Sequence, residues 1–233
     1  MRSHFRSAGA AMLAAALSLT LASCATTPPD AKTAAPAISR LSGTEGTVNA
    51  ESGFIELGDG ATVIDLYVDA MCPYCRMFED AHADFLFREV ADGRATLRLH
   101  PVAILNRYSQ GTDYSTRAAA SLVAVAQRAP DAVQGYLAAL FDAQPDEGTA
   151  GLTDEELADL AASVGVDIRS DDGLSVQKQW VDQVTYVATT GPLSDSVPHL
   201  QHVPTTLING ELWEGNSSEV ERFRLFYEDS RDS

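Results

Sequence analysis

Cysteine is scarce in this chain: three residues in 233, Cys24, Cys72 and Cys75. That excludes the dense disulfide framework of small secreted scaffolds, so the fold must rest on a hydrophobic core. Positive charge is scarce as well, with 16 Lys and Arg against 33 Asp and Glu and a formal net charge of −17. Such a surface repels phosphate backbones and anionic lipid, which argues against nucleic acid as a partner. The acidity suits the solvated surface of an exported domain. Long apolar runs are missing too, and the one run near the start, Ala8 to Ala22, is too short for a secure membrane span. What remains is ordinary for a soluble protein, 45% hydrophobic and 7% aromatic residues. The length suits one core, with room for an insertion.

The amino terminus reads as a processing signal. Arg2 and Arg6 precede the apolar run, which ends in Leu21-Ala22-Ser23-Cys24. Small residues before a cysteine resemble the lipobox of bacterial lipoproteins, and that resemblance implies lipidation of Cys24. Plain secretion with a free Cys24 is the alternative. Either outcome places the mature chain outside the cytoplasm, where disulfides persist. Loss of Arg2 and Arg6 makes it more acidic still. With Cys24 lipidated, only Cys72 and Cys75 remain as thiols. Residues 1–23 are thus expected to be a signal peptide. Residues 24–52, rich in Ala, Thr, Pro, Gly and Ser without apolar period, are expected to be a flexible tether. Residues 53–233 are left as the folded domain.

Within that domain, FIEL from Phe54 and ATVIDLYV to Val68 flank Gly58-Asp59-Gly60 and read as two strands joined by a tight turn. A helix follows, with Phe78, Ala81 and Phe85 as its apolar face and Gly93 as its stop. ATLRLHPVAIL then reads as a strand. Alanine-rich amphipathic runs on either side of Pro130 predict two helices. Thr153 and Glu156 form the start signal of a third, with Leu152 and Leu157 as its staple and Gly165 as its end. A fourth covers Ser175 to Ala188. The last segment predicts a strand from Thr205, an Asn209-Gly210 turn, a return strand to Trp213, and a helix burying Val220, Phe223 and Phe226. This is an α/β order with a helical insertion at about 113–190.

Cys72-Pro73-Tyr74-Cys75 could be a metal clip, a structural staple or a redox pair. A structural disulfide closing so short a loop would stabilise little. Zinc needs four ligands. Cys72, Cys75, His199 and His202 could be assembled, but two histidines so close together suit a zinc finger poorly, and no metal is expected. The stretches VDAMCPYCRMFED, LRLHPVAIL and VPTTLING, taken in that order, resemble the DsbA-like branch of the thioredoxin superfamily, extracytoplasmic thiol-disulfide oxidoreductases. The likeness covers about Phe54 to Phe226. The long interval between Cys75 and Pro204 separates it from thioredoxins and glutaredoxins.

Physical chemistry runs alongside. A cysteine at a helix N-cap faces unpaired N–H groups and the positive dipole end, which favours its thiolate. Pro73 costs no hydrogen bond at the first helical position. Cys72 is therefore expected to attack and Cys75, one turn in, to resolve. Arg76 would add positive charge if it turned toward Cys72, and none if it points into solvent. The resemblance further implies a cis Pro204 facing the tetrad, with Val203 offering backbone groups to an extended substrate. Tyr74 stands where strongly oxidising relatives carry histidine. Relatives also carry a buried acid six positions before the first cysteine, and here that position is Leu66. Asp65 is one residue out of phase and faces the other side unless the strand carries a bulge. Asp69 matches another common family acid, and a turn-capping role suits it equally. His100 before Pro101 is expected at a strand end.

The expected protein is a monomeric, membrane-tethered thiol-disulfide oxidoreductase. Its substrates are the thiols of exported proteins and a membrane redox partner renews it. No cofactor is required, because the two sulfurs carry the electrons. A reductase or isomerase of the same fold is the enzymatic alternative, though there is no room for a separate dimerisation domain. A non-catalytic peptide-binding lipoprotein is the other.

Overall fold

Two β-rich runs of the sequence pair through a helix, and the rest of the sheet grows outward from them. The computed structural model describes residues 41–170 and 172–232. Cys24 and the expected signal peptide lie outside the described residues. Seven strands form one sheet: β1 (Thr44–Glu45), β2 (Val48–Asn49), β3 (Phe54–Leu57), β4 (Thr62–Val68), β5 (Ala95–Pro101), β6 (Thr205–Ile208) and β7 (Glu211–Leu212). Their order is β1-β2-β3-β5-β4-β6-β7. Only β4 and β5 run parallel, and the 19-residue helix α1 (Pro73–Ala91) makes the crossover that a parallel pair requires.

Two expectations need correction. Residues 44–49, assigned to the tether, are part of the sheet: β1 pairs with β2 and β2 with β3, both antiparallel. Val48 is buried there, and the Thr47 N–H donates to the Ala126 carbonyl at 3.2 Å. Two-residue strands with one buried apolar side chain carry no readable period. Their order comes from partners distant in sequence. Second, β3 and β4 do not form a hairpin. β5 lies between them, and β3 pairs with it through Ile55↔Leu99. Gly60 explains the Gly-Asp-Gly segment differently. Its N–H donates to the Ala95 carbonyl, and a Cβ at this position would collide with the backbone of Arg94 and Ala95.

The insertion comprises α2 (Tyr114–Arg128), α3 (Val133–Asp142), α4 (Asp154–Ser163) and α5 (Ser175–Thr190). Ala118, Ala119, Ala120, Ala124 and Ala126 are all buried in α2, and their small size lets α3, α4 and α5 close around it. α4 opens with the expected capping box: Thr153 Oγ1 accepts from the Glu156 N–H, and a Glu156 carboxylate oxygen accepts from the Thr153 N–H. Asn209 (φ 51°) and Gly210 (φ 85°) make the tight turn between β6 and β7. No helix among the described residues is long and apolar enough to cross a membrane.

The buried stripe of α1 is rotated from the expected one. It comprises Cys75, Phe78, His82, Leu86 and Glu89, while Ala81 and Phe85 lie at its margin. Two of these are polar: Glu89 is paired, whereas His82 is enclosed by rings with its Nε2 left without a hydrogen-bond partner among the described residues. Glu89 receives two 2.7 Å hydrogen bonds from Arg94 and one of 2.9 Å from the Tyr227 hydroxyl. The Arg94 guanidinium accordingly holds the Glu89 carboxyl below its usual range. His82 lies 4.5 Å from the rings of Phe78 and of Phe223. Phe223 and Tyr227 come from the closing helix α6 (Val220–Arg231), in which Phe226 is only partly buried.

Trp180 of α5 anchors the amino-terminal strands. It is 1% exposed, and its indole N–H donates to the Ala50 carbonyl at 2.9 Å. Trp180→Ala should cost about 3–5 kcal/mol, the usual range for truncating a buried aromatic to alanine. A urea midpoint unchanged from the parent would show that the α5 anchor carries no stability.

Candidate active site

β4 ends at Val68, and after four residues the chain enters α1 at Pro73. Cys72 is the N-cap of that helix, with extended backbone angles (φ −82°, ψ 117°), and Pro73 occupies its first turn. The Cys72 side chain makes no capping bond of its own, and its sulfur lies at the N-terminal end of the helix. Hydrogen bonding from the Cys75 thiol, with help from the N–H groups of Cys75 and Tyr74, holds the Cys72 thiol below its ordinary value. Burial and the Asp69 charge oppose that shift without reversing it. Cys75 behaves oppositely: burial first, and its contact with Cys72 second, push its thiol well up. No disulfide joins Cys72 and Cys75 in this structure. Cys72 keeps a narrow exposed edge (4%) and Cys75 none. Tyr74, 62% exposed, and Met77 are exposed apolar side chains in the first turns of α1.

The second element of the site comes from far along the chain. The Val203-Pro204 peptide is cis, and the Cys72 thiol donates to the Val203 carbonyl at 3.3 Å. Pro204 leads directly into β6, which pairs antiparallel with β4 through Tyr67↔Thr205. That pairing fixes the proline loop against the tetrad. Every residue expected at the site within the described chain meets here: Cys72, Pro73, Tyr74, Cys75, Val203 and Pro204.

The acid question resolves in a specific way. β4 and β5 hold an unbroken register from Thr62↔Ala95 to Val68↔Pro101, so β4 carries no bulge. Leu66 is buried, and Asp65 alternates with it and pairs with His100 at 2.8 Å. His100 also stacks on Tyr67, 4.0 Å between ring centroids. Asp69, by contrast, is completely buried. Its two carboxylate oxygens accept from the N–H groups of Met71 and Leu105, each at 2.9 Å. Burial pushes its carboxyl up to about 6, against the lowering effect of the hydrogen bonds from Met71 and Leu105. It is a turn-capping acid whose charge also reaches both cysteines.

Arg76 is drawn toward Asp80 at 3.9 Å, on the solvent side of α1. His199 and His202 do not join the cysteines. Among the described residues no group of three or more histidine, cysteine or carboxylate side chains gathers to hold a metal ion. Gln144, just beyond α3, is a contact sequence reasoning missed: its amide donates to the carbonyls of Ala70 and Cys72 at 2.9 and 3.0 Å. It ties the helical insertion to the tetrad loop. A polar residue after a helix gives no sequence signal for such a role.

In chemical terms the site pairs an exposed-edge sulfur that favours its thiolate with a buried sulfur that favours its proton. Peptide carbonyl and N–H groups lie alongside. Such a pair can open and close by thiol-disulfide exchange.

A family model described as Thioredoxin matches residues 58–226. The serine/threonine-protein kinase PknE of Mycobacterium tuberculosis is 36% identical over 118 residues, 49% of this chain. The match spans only 21% of the length of that relative. Among solved structures, the reduced form of DsbG, a disulfide bond oxidoreductase from Mycobacterium tuberculosis, superposes with a TM-score of 0.61 at 23% identity, covering 78% of this chain and 89% of that one. Reduced DsbA from the same organism gives 0.60 at 23% identity, covering 77% and 96%. Both show the same α/β thioredoxin fold with a helical insertion.

Proposed function

The chain belongs to the thioredoxin family and has the DsbA-type fold, and on that premise we propose that it oxidises the thiols of exported proteins while tethered by lipid to a membrane. In this reading the Cys72-Cys75 disulfide is the resting oxidant. A substrate thiolate attacks the Cys72 sulfur, the Cys72-Cys75 bond breaks, and Cys75 leaves with the electron pair. A second substrate thiolate then attacks the sulfur joined to Cys72. The substrate disulfide forms, Cys72 leaves as its thiolate, and the enzyme is left as the dithiol. Two electrons have passed from substrate to enzyme, and a membrane redox partner removes them. The chain acts as a monomer in this cycle.

One observation carries the reading: the Cys72 sulfur lies at a helix N-terminus and within 3.3 Å of the Val203 carbonyl. The first feature makes it a good leaving group and nucleophile. The second sets peptide backbone beside it, where an extended substrate can add by β-pairing. Exposed Tyr74 and Met77 in the first turns of α1 offer apolar contact.

The test mixes the oxidised chain with a two-thiol peptide outside the cell. Transfer of one disulfide per chain is the expected result, with maleimide labelling Cys72 of the native dithiol form and sparing Cys75. A peptide left reduced, together with an unlabelled Cys72, would favour a peptide-binding lipoprotein instead. Cys24→Ala should release the domain from the membrane fraction without loss of exchange. Retention in detergent-free fractions would overturn the tether.

A further inference from the structure

We infer that Glu79 is the proton-transfer group for Cys75, giving the sulfur a proton when it leaves and taking it back when it attacks. The inference rests on the thiol-disulfide reading above and names a residue that this reading leaves out.

Cys75 is fully buried and its environment favours the protonated thiol. A sulfur in that position needs a proton carrier in both directions, because bulk water does not reach it. The other carboxyl whose charge reaches Cys75, Asp69, is occupied: its oxygens are held by the Met71 and Leu105 N–H groups. Leu66 on β4 carries no proton. A cavity of about 10 Å³, the space one water molecule needs, lies between the sheet, α1 and α3. Leu66, Phe78, Leu137 and Phe141 form apolar walls, and Cys75 and Glu79 supply its two titratable groups. Glu79 stands one helical turn after Cys75, a spacing that sets side chains about 5–6 Å apart at Cβ. Direct transfer or transfer through a single water spans that gap.

Glu79 is also free to act. Among the described residues it has neither a hydrogen-bond partner nor an ion pair. The charged groups around it are Asp80 and Asp84 on α1 and Asp142 at the end of α3. Burial, followed by repulsion from those three carboxylates, pushes its own carboxyl up to about 7. Near neutral pH it therefore both holds and accepts a proton.

In the oxidising direction, the substrate thiolate forms its bond to Cys72 sulfur and Cys75 departs as thiolate. The Glu79 carboxyl then passes its proton to Cys75, ending as carboxylate beside a thiol. In the reverse direction the carboxylate takes the Cys75 proton, and the resulting thiolate closes the Cys72-Cys75 disulfide while expelling the partner thiolate. No other reactant enters.

The test compares oxidised wild type with Glu79→Gln in stopped-flow exchange against the two-thiol peptide, from about pH 5 to about pH 9, corrected for peptide thiolate. Below pH 7 the variant should be slower by about 100-fold, the lower end for general acid catalysis. The ratio should shrink toward one as pH rises above 7, where Glu79 no longer holds a proton to give. A ratio near one throughout, with wild type exchanging normally, would overturn the inference and leave the exchange function standing. Absence of exchange in wild type would overturn both. Should the variant not fold, carbon-13 NMR of the wild-type dithiol form decides. A Glu79 carboxyl titrating near 7 supports the assignment, and one titrating in the ordinary carboxylate range refutes it.

Discussion

Cys75→Ala should capture exported proteins as stable mixed disulfides on Cys72, and Cys72→Ala should capture none and lose exchange altogether. Cys72 is the sulfur with an exposed edge, and its thiolate is favoured by the Cys75 thiol and by the N–H groups of the helix start. In Cys75→Ala the Cys72 thiolate attacks a substrate disulfide, bonds to one of its sulfurs and expels the other as a thiolate. Release then normally comes from Cys75 or from a second substrate thiol. Removing Cys75 deletes the first route and lets adducts accumulate. In Cys72→Ala, the remaining sulfur is fully buried and held as a thiol, so neither nucleophile nor access is left. The loss should be several orders of magnitude, read by non-reducing electrophoresis and by exchange with the two-thiol peptide. Equal trapping by both variants would reverse the roles assigned to the two sulfurs.

Asp69→Ala should destabilise the fold strongly, and Asp69→Asn should make the Cys72 thiol more acidic. Truncation leaves the buried N–H groups of Met71 and Leu105 without acceptors, at about 1–3 kcal/mol for each. The charge has a second effect, because Asp69 raises the thiol pKa of both Cys72 and Cys75. Removing it should therefore stabilise the Cys72 thiolate further and make the couple a stronger oxidant. A pH signature accompanies this. Burial raises the folded carboxyl from 3.8 to about 6, so the folded chain holds that proton more tightly than the unfolded chain does. The stabilisation from this group is then complete below about pH 4 and lost as pH rises through about 6. Urea melts of wild type across that window should show the decline, and Asp69→Asn should not. Thiolate absorbance of Cys72 unchanged in Asp69→Asn would separate the acid from the redox chemistry.

Much of the site was legible in the sequence because its signals are local. A cysteine and proline at a strand-to-helix joint, the Thr153-Glu156 box and the Asn209-Gly210 turn each depend on a few adjacent residues. What the sequence hid depends on partners far along the chain. β1 pairs with β2 and β2 with β3, Thr47 contacts Ala126 far along the chain, and none of this leaves a periodic pattern. Gly58-Asp59-Gly60 resembles a hairpin turn, and only the approach of Gly60 to Ala95 reveals a different use. The buried face of α1 was misplaced because Glu89 and His82 are polar. Arg94 and Tyr227 complete the first, and the rings of Phe78 and Phe223 enclose the second. Asp69 offered two readings, and its burial joins them in one residue. Glu79 gave no signal at all on an acidic helix, because its distinction is the cavity it shares with Cys75.

The direction of electron flow follows from how far the protein stabilises its reduced state, and chiefly the Cys72 thiolate. Helix-end placement stabilises that thiolate, whereas Tyr74 and the Asp69 charge stop short of an extreme. Equilibration of the Cys72-Cys75 couple against glutathione, followed by tryptophan fluorescence or alkylation, measures the balance directly. A potential above the roughly −230 to −200 mV of glutaredoxins and below the roughly −120 mV of DsbA is expected, and it favours donation of disulfides to exported proteins. A couple near −270 mV, as reducing as thioredoxin, would contradict the oxidant reading and make the protein a tethered reductase.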